Sequence, residues 1–167
     1  MIRFFSLLAC LLLLTSCGFS PMYASSSFGG GSEISDQLAQ VQIESIPDRE
    51  GQLLRNELID RFYRDGRPSN PRYSLKIMPI EEYKRELDVT IGSDTTRAQL
   101  RMQTDMVLTD LETGDVVLKD GLTTYASYNV LGDQYATSVS EDNTRDNSIR
   151  DLARQIEQKT ALYLNSK

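Results

Sequence analysis

The sequence contains no histidine, and it lacks the short motifs that accompany most catalytic centres. Histidine is the commonest general base and the commonest metal ligand, so its absence removes the usual acid–base and zinc centres. There is also no phosphate-binding loop and no GxSxG or SxxK nucleophile motif. Acidic residues occur singly or in short pairs such as Glu81-Glu82, which are typical of solvated surfaces. We therefore predict a protein that is not an enzyme, with no catalytic residues, no metal site and no cofactor.

The sequence also lacks an apolar run long enough to cross a bilayer as a helix, which takes about 20 residues. The mostly apolar run at the N-terminus covers only residues 4–14 and follows Arg3. A short run of this kind, between a positive charge and small residues, is typical of an export signal. The segment Leu14-Thr15-Ser16-Cys17 then has the pattern of a lipobox, in which a cysteine thiol receives diacylglycerol.

We predict that residues 1–16 are a lipoprotein signal peptide and that Cys17 becomes the lipidated first residue of the mature chain. Diacylglycerol on the thiol and a fatty acyl group such as palmitate on the new amine would together anchor the chain, whereas one acyl chain binds membranes only marginally. Gly18 occupies the position where aspartate favours retention in the inner membrane, so an outer-membrane location is expected. The alternative is a plain secreted protein with an incidental cysteine.

The two cysteines leave no structural disulfide, because Cys10 would be discarded with the signal peptide and Cys17 would be acylated. The formal net charge of −6 makes the chain a poor general binder of nucleic acid.

Residues 17–36 are rich in serine and glycine and predict the acylated N-terminus followed by a flexible tether. Residues 37–167 have the length of a single domain.

Apolar periodicity in this domain predicts the element order βαβββα. The third strand has the clearest pattern, because Leu100, Met102, Met106 and Leu108 alternate with polar residues. Pro79 interrupts the second strand, which places that strand at an edge or a bulge. The expected strands are residues 38–46, 73–86, 98–109 and 116–128. One helix is expected to follow an N-cap at Asp48 and to run to about Tyr63, and another to follow an N-cap at Ser140 and to run towards the C-terminus.

These segments predict an α+β fold of two layers. Two helices would pack on the apolar face of a four-stranded, largely antiparallel or mixed sheet. The opposite face, which carries Arg101, Gln103 and Asp105, would stay exposed or meet a partner.

Three segments of the mature chain resemble the LptE family of lipopolysaccharide-assembly lipoproteins, in its alphaproteobacterial form. The first is the opening Cys17-Gly18-Phe19-Ser20-Pro21-Met22-Tyr23, in which Met22 replaces the usual leucine. The second runs from Ile46 through Pro47-Asp48-Arg49-Glu50-Gly51 to Asn56, and the third comprises Ser127-Tyr128-Asn129 with Gln134-Tyr135-Ala136.

The resemblance implies a non-enzymatic lipoprotein of the outer membrane, anchored by its lipid and facing the periplasm and the lumen of a barrel. Such a protein would partner and plug an LptD-like β-barrel and assist lipopolysaccharide assembly. Basic side chains near one end of the sheet would then be candidates for lipopolysaccharide contact, because charge-assisted hydrogen bonds to phosphate are strong at short range. The candidates are Lys84, Arg85, Arg97, Arg101 and Lys119.

Two other functions are compatible with a lipoprotein of this composition. One is a periplasm-facing carrier or chaperone for a lipid or for another envelope assembly machine, which would need a larger apolar cavity than a two-layer domain readily offers. The other is a lipid-anchored hydrolase that uses carboxylates alone, which the missing nucleophile and base disfavour.

Overall fold

The computed structural model describes residues 31–63, 66–89 and 95–166. Within these ranges the chain forms three helices and five strands. In chain order they are α1 (Gly31–Leu38), β1 (Val41–Ile43), α2 (Asp48–Phe62), β2 (Tyr73–Ile77), β3 (Glu81–Val89), β4 (Thr95–Asp110), β5 (Val116–Asn129) and α3 (Gln134–Asn165).

The longest strand, β4, lies at the centre of a mixed sheet. It pairs antiparallel with β5 along one side, and with β3 and then β2 along the other. The short strand β1 pairs parallel to β2 and is the only parallel member among the described strands. The predicted α+β class and the largely antiparallel sheet are therefore confirmed, with five strands where the sequence predicts four.

The core lies between one face of this sheet and the helices α2 and α3. Leu54, Leu58 and Phe62 of α2 are fully or almost fully buried, as are Leu152 and Ile156 of α3. They pack over the inward-facing side chains of the sheet, which include Leu75, Leu100, Met102, Met106 and Leu108. Each such side chain contributes roughly 1.5–3 kcal/mol when it leaves water, so this layer supplies most of the driving force for folding.

The predicted second strand is divided at Pro79 into β2 and β3, which follow one another along the same side of β4. Ile77 pairs with Met106 and Glu81 pairs with Gln103, so three residues of one strand oppose two of the other. This is a bulge, as expected for a proline that cannot donate to the ladder. The Thr104 hydroxyl donates to the Met78 carbonyl over 2.7 Å and so satisfies a backbone group at the break.

The N-terminal boundary of the domain differs from the prediction. Helix α1 begins at Gly31, so the last part of the predicted tether is helical, and Ile34 and Leu38 are buried. The first strand is correspondingly short and begins at Val41, whereas the sequence predicts it from residue 38. An apolar pair four residues apart supports a turn of helix even within a Ser/Gly-rich sequence.

Both longer helices begin differently from the prediction. Asp48, expected as an N-cap, is the first residue of α2 and has φ 67°, while Pro47 occupies the cap position without a side-chain hydrogen bond. Helix α3 begins six residues before Ser140, at Gln134, and the Asp133 carboxylate accepts from the Tyr135 N–H over 2.9 Å. Asp133 lies in the stretch between the predicted fourth strand and the predicted last helix, for which the sequence analysis gave no element.

A close approach fixes the start of α2 against the chain that precedes it. A Cβ atom at Gly51 would lie 2.6 Å from Cγ2 of Ile46 and 3.2 Å from its carbonyl carbon. Ile46 is 1% exposed and has little room to move away. Glycine at this position therefore lets the first turns of α2 pack directly on the connection from β1.

Candidate functional site

One face of the sheet is covered by helices, and the opposite face, which we call the open face, is the candidate site. Along β4 the even-numbered residues from Leu100 to Leu108 are buried, while Arg101 and Asp105 are exposed. The alternation follows from the pleat, which sends successive side chains to opposite faces. The open face is therefore polar, as the sequence predicted for Arg101, Gln103 and Asp105.

The cross-strand register shows which side chains share the open face. Arg101 lies between Tyr83 of β3 and Tyr125 of β5 in one row. The tyrosines are 50% and 61% exposed, and the Arg101 guanidinium lies 5.3 Å from the centre of the Tyr83 ring. In the adjacent row Gln103 lies between Glu81 and Thr123.

A chain of hydrogen bonds joins these two rows. The Tyr83 hydroxyl and the Gln103 amide both donate to the Glu81 carboxylate, over 2.8 and 2.6 Å. Arg101 in turn donates to the Gln103 side-chain oxygen. The two hydrogen bonds to Glu81 lower the pKa of its carboxyl group, which stays ionised at neutral pH.

Three of the five basic candidates lie together on the open face. Arg85 pairs with Gln99 of β4, and on β4 itself Arg97 and Arg101 lie two residues before and two residues after Gln99. Arg85 and Arg97 make no ion pair with the side chains that the structure describes. Arg85 and Arg97 are both exposed.

The other two candidates lie elsewhere, which corrects the prediction of one basic group. Lys119 pairs with Val107, roughly 33 Å along β4 from Arg97 at the usual rise per residue of a strand. Lys84 projects to the helix-covered side, where its ammonium contacts the Glu141 carboxylate and lies 3.8 Å from Glu82. The bulge at Pro79 explains this placement, because one extra residue exchanges the faces of all residues that follow it.

Lys84 belongs to an ion-pair network that fastens the start of α3 to the sheet. Arg145 donates to Glu82 over 2.8 Å and to Glu141 over 2.7 Å, and the Tyr128 hydroxyl donates to Glu141 over 3.0 Å. Burial acts to raise the pKa of Glu141, but hydrogen bonds from Lys84, Arg145 and Tyr128 outweigh it and leave the pKa below its ordinary value. The hydrogen bonds to Glu82 raise the pKa of Arg145.

Exposed apolar side chains accompany these arginines at this end of the sheet, and none of them was among the residues predicted from the sequence. Leu131, Tyr135 and Val139 are 49%, 77% and 42% exposed around the start of α3, and Leu87 of β3 is 41% exposed. Leu131, Tyr135 and Val139 are spaced four residues apart, and this spacing was the signal in the sequence that could have indicated them.

We call β3, residues 95–103, residues 123–129 and residues 131–145 together the basic end.

The remaining predicted features lie outside the described residues or concern what those residues lack. Cys17, the signal peptide and the tether up to residue 30 belong to the part of the chain that the structure does not describe. Among the described residues, no cluster of three potential metal ligands occurs, and none of the helices is long and apolar enough to cross a membrane.

Comparison with known proteins gives one family and several solved structures. Residues 38–160 match the family model LptE, Lipopolysaccharide-assembly. No curated protein matches the chain significantly.

The fold is similar to three lipoprotein structures. A lipoprotein from Caulobacter crescentus CB15 has a TM-score of 0.63 at 23% identity, covering 81% of this chain and 98% of its own. The rare lipoprotein B from Shewanella oneidensis has a TM-score of 0.61 at 11% identity, covering 75% and 96%. A minor lipoprotein from Acinetobacter baumannii has a TM-score of 0.59 at 22% identity, covering 73% and 90%.

Proposed function

Because the chain belongs to the LptE family of lipopolysaccharide-assembly lipoproteins, we propose that it partners an LptD-type outer-membrane β-barrel, plugs its lumen and assists lipopolysaccharide in reaching the outer leaflet. The family is non-enzymatic, which confirms the expectation from the sequence. The observation that carries the proposal is the family match over residues 38–160, which includes nearly the whole described domain.

The one-sided sheet supports a role in binding rather than in chemistry. In the part of the chain that the structure describes, helices cover a single face. The open face runs along β4 and β5, two long strands paired from Arg97 to Thr109. A polar face of this extent is suited to contact the polar interior of a barrel, because barrel lumens are lined by polar side chains. The helix-covered face would supply the rigid support.

The basic end supports contact with lipopolysaccharide itself. Arg85, Arg97 and Arg101 offer guanidinium groups, which bind phosphate through paired hydrogen bonds. Exposed Leu131, Tyr135 and Val139 offer apolar surface at the same end. Lipid A carries phosphates beside acyl chains, so the combination fits its chemistry better than it fits a free anion.

The proposed anchor is the lipidated Cys17, with residues 1–16 removed. Two or three acyl chains on one residue would hold the domain at the membrane without a spanning helix. Residues 18–30 would then separate the lipid from helix α1. We infer that this anchor would hold the domain at the periplasmic face of the outer membrane, beside the barrel.

Recovery of the barrel tests the central claim. The full acylated chain, carrying an affinity tag at its C-terminus, is purified from solubilised envelopes. We expect a large β-barrel protein to copurify in a fixed ratio. Recovery of the intact lipoprotein without any barrel would refute the proposed partnership and leave the fold unaffected.

Cys17→Ala tests the anchor, with Cys10→Ala as the matched control. We expect Cys17→Ala to abolish labelling by a radioactive fatty acid and to release the folded protein from the membrane fraction. Cys10→Ala should leave both properties unchanged. Labelling retained in Cys17→Ala would show that another residue carries the lipid.

Replacement of Arg85, Arg97 and Arg101 by alanine tests the lipopolysaccharide contact. We expect retention of lipopolysaccharide on the immobilised protein to fall at least fivefold. The control replaces three arginines that lie away from the basic end, namely Arg49, Arg150 and Arg154, and removes the same charge. Equal loss in both triple variants would indicate a general charge effect and overturn these assignments.

A further inference from the structure

A groove crosses the middle of the open face, between the hydrogen-bonded rows and the bulge at Pro79. Its volume is about 300 Å³, at the lower end of the range of small-molecule sites. It is lined in part by Glu81, Gln103, Asp105, Gly121 and Thr123. These side chains offer carboxylate, amide and hydroxyl groups, so the groove presents both donors and acceptors.

The floor of the groove is open because β5 has a glycine in its interior. Gly121 pairs with Asp105 in an uninterrupted part of the ladder, and its φ does not lie in the left-handed region. Neither a bulge nor an unusual backbone conformation therefore requires glycine here. The remaining common reason for glycine inside a strand is the close approach of another group. A Cβ at this position would lie 3.2 Å from the Asp105 carboxylate and would narrow the groove.

One wall of the groove is already ordered. Glu81 and Gln103 are held by each other and by Tyr83 and Arg101, through the hydrogen bonds and the cation–π contact described above. Exposed side chains usually lose rotamer entropy when they bind a ligand, and side chains that are fixed beforehand lose less. The network therefore fixes the orientation of several polar side chains before a ligand binds.

Two exposed tyrosine rings lie in the row of the open face next to these polar groups. Tyr83 and Tyr125 lie on either side of Arg101, each at least half exposed. Tyrosine offers a large, rigid contact surface at low entropic cost. Flat rings beside fixed amide, carboxylate and hydroxyl groups match a sugar ring, which has C–H groups on its faces and hydroxyl groups around its rim.

We propose that this groove binds a saccharide, and specifically the oligosaccharide portion of lipopolysaccharide. An acyl chain would leave the polar groups of the groove unpaired, and a phosphate would face the carboxylates of Glu81 and Asp105. A hydroxyl-rich ligand satisfies both donors and acceptors. The choice of oligosaccharide rests on the proposed function, while the saccharide class rests on the groove. The sugars would then lie beside the arginines that we assign to the phosphates.

The test uses the full-length chain in detergent and, as probe, the lipid-free core oligosaccharide released from lipopolysaccharide by mild acid. Tyrosine rings labelled with ¹³C report the binding, because a stacked sugar shifts the ring signals. We expect the signals of Tyr83 and Tyr125 to shift during the titration and that of Tyr163, near the end of α3, to stay in place. Each signal is assigned by its tyrosine-to-phenylalanine variant.

Two variants locate the binding. Gly121→Val fills the groove floor, and Tyr125→Ala removes an exposed ring whose loss leaves the core intact. We expect each to raise the oligosaccharide dissociation constant at least tenfold, while Leu162→Ala, on the exposed side of α3, leaves it unchanged. Unchanged affinity in Tyr125→Ala, or shifts confined to Tyr163, would overturn the saccharide assignment even if Gly121→Val failed to fold.

Barrel recovery with the same variants separates this inference from the proposed function. If Gly121→Val and Tyr125→Ala still copurify with the barrel but lose the oligosaccharide, both proposals stand. If they lose the barrel and keep the oligosaccharide, the groove is a protein interface and the saccharide assignment is wrong. A wild-type chain that recovers the barrel but does not bind the oligosaccharide refutes only the present inference.

Discussion

The two ends of the sheet are joined to their helices by different chemistry. In the core half, which comprises β1, β2, α2, residues 106–110 of β4 and residues 148–164 of α3, the contacts are made by buried side chains such as Leu58, Leu75 and Leu152. At the basic end, the first turns of α3 are joined to β3 and β5 largely by Lys84, Glu82, Glu141 and Arg145.

The half of the domain that supplies most of its stability is therefore not the half that exposes charged and apolar groups. Apolar burial is insensitive to salt and to mild acid, whereas ion pairs at partly exposed sites are weakened by both. The basic end can therefore keep charged and apolar groups at its surface without being the source of the domain's stability. We expect the core half to hold the fold and the basic end to open first.

Leu58→Ala should have the largest effect, because it removes a fully buried side chain from the centre of the core half. Deletions of this kind cost about 2–5 kcal/mol, depending on how far the cavity collapses. Urea denaturation followed by circular dichroism measures the free energy of unfolding. Leu162→Ala, at a position 59% exposed, is the control and should change that free energy by less than about 0.5 kcal/mol. Similar costs at both positions would contradict the assignment of the core.

Gly51→Ala should be the next most damaging change. In an open helix the substitution would stabilise the protein by roughly 0.5–1 kcal/mol, but here the new Cβ overlaps Ile46. Overpacking of this kind costs about 1–3 kcal/mol. Urea denaturation should therefore show that Gly51→Ala lowers the free energy of unfolding rather than raising it.

A double variant checks the cause of this loss. Ile46→Leu removes the Cγ2 atom nearest to the new Cβ, and combined with Gly51→Ala it should recover part of the free energy of unfolding. A stabilising effect of Gly51→Ala alone would show that the start of α2 is less tightly packed than described.

Arg145→Met should destabilise the basic end without unfolding the core half. It removes the guanidinium that contacts both Glu82 and Glu141 and leaves Lys84 as the described cation beside the two carboxylates. Since the side chain of Arg145 is 17% exposed, we expect a loss of about 1–2 kcal/mol, below the cost of breaking a fully buried pair. Hydrogen exchange should quicken at residues 134–145 and stay slow at residues 149–160. The control is Arg150→Met, because the Arg150 side chain is 55% exposed. Faster hydrogen exchange throughout the domain in Arg145→Met would contradict the division into a core half and a basic end.

Acid should produce the smallest and most local effect. The pKa of Glu141 is lowered in the folded state, so between that pKa and its ordinary value of 4.5 the unfolded chain binds more protons. The stabilisation from Glu141 is therefore complete above about pH 4.5 and is lost as the pH falls through the folded-state pKa. Hydrogen exchange at residues 134–145, measured from pH 6 to pH 3, should show this loss in the wild type and less of it in Glu141→Gln. Identical profiles would exclude Glu141 as the cause.

The sequence predicted the central strand well because a single rule governs it. Leu100, Met102, Met106 and Leu108 alternate with polar residues, and the structure places them on the buried face as predicted. The buried residues Ile149, Leu152 and Ile156 of α3 recur at helical spacing, which is the sequence pattern of a helix packed on a core.

The basic candidates were harder to place because their positions depend on register, which one strand alone does not show. The alternation along β4 predicted the face of Arg101 correctly. The face of Lys84 depends on the number of residues in the bulge at Pro79, which the sequence does not show. The network of Glu82, Glu141 and Arg145 joins segments about sixty residues apart and leaves no local pattern. The short helix α1 was missed because its composition is that of a linker.

The unpaired residue at Pro79 also determines how this domain tolerates changes in length. Removing one residue between Ile77 and Glu81 would turn Tyr83 and Arg85 towards α3 and would present Lys84 and Glu82 to the outside. Such a deletion would keep the composition of β3 nearly intact and yet invert what each side of the sheet displays. Sequence relatives that differ in length at this point therefore need to be compared face by face rather than residue by residue.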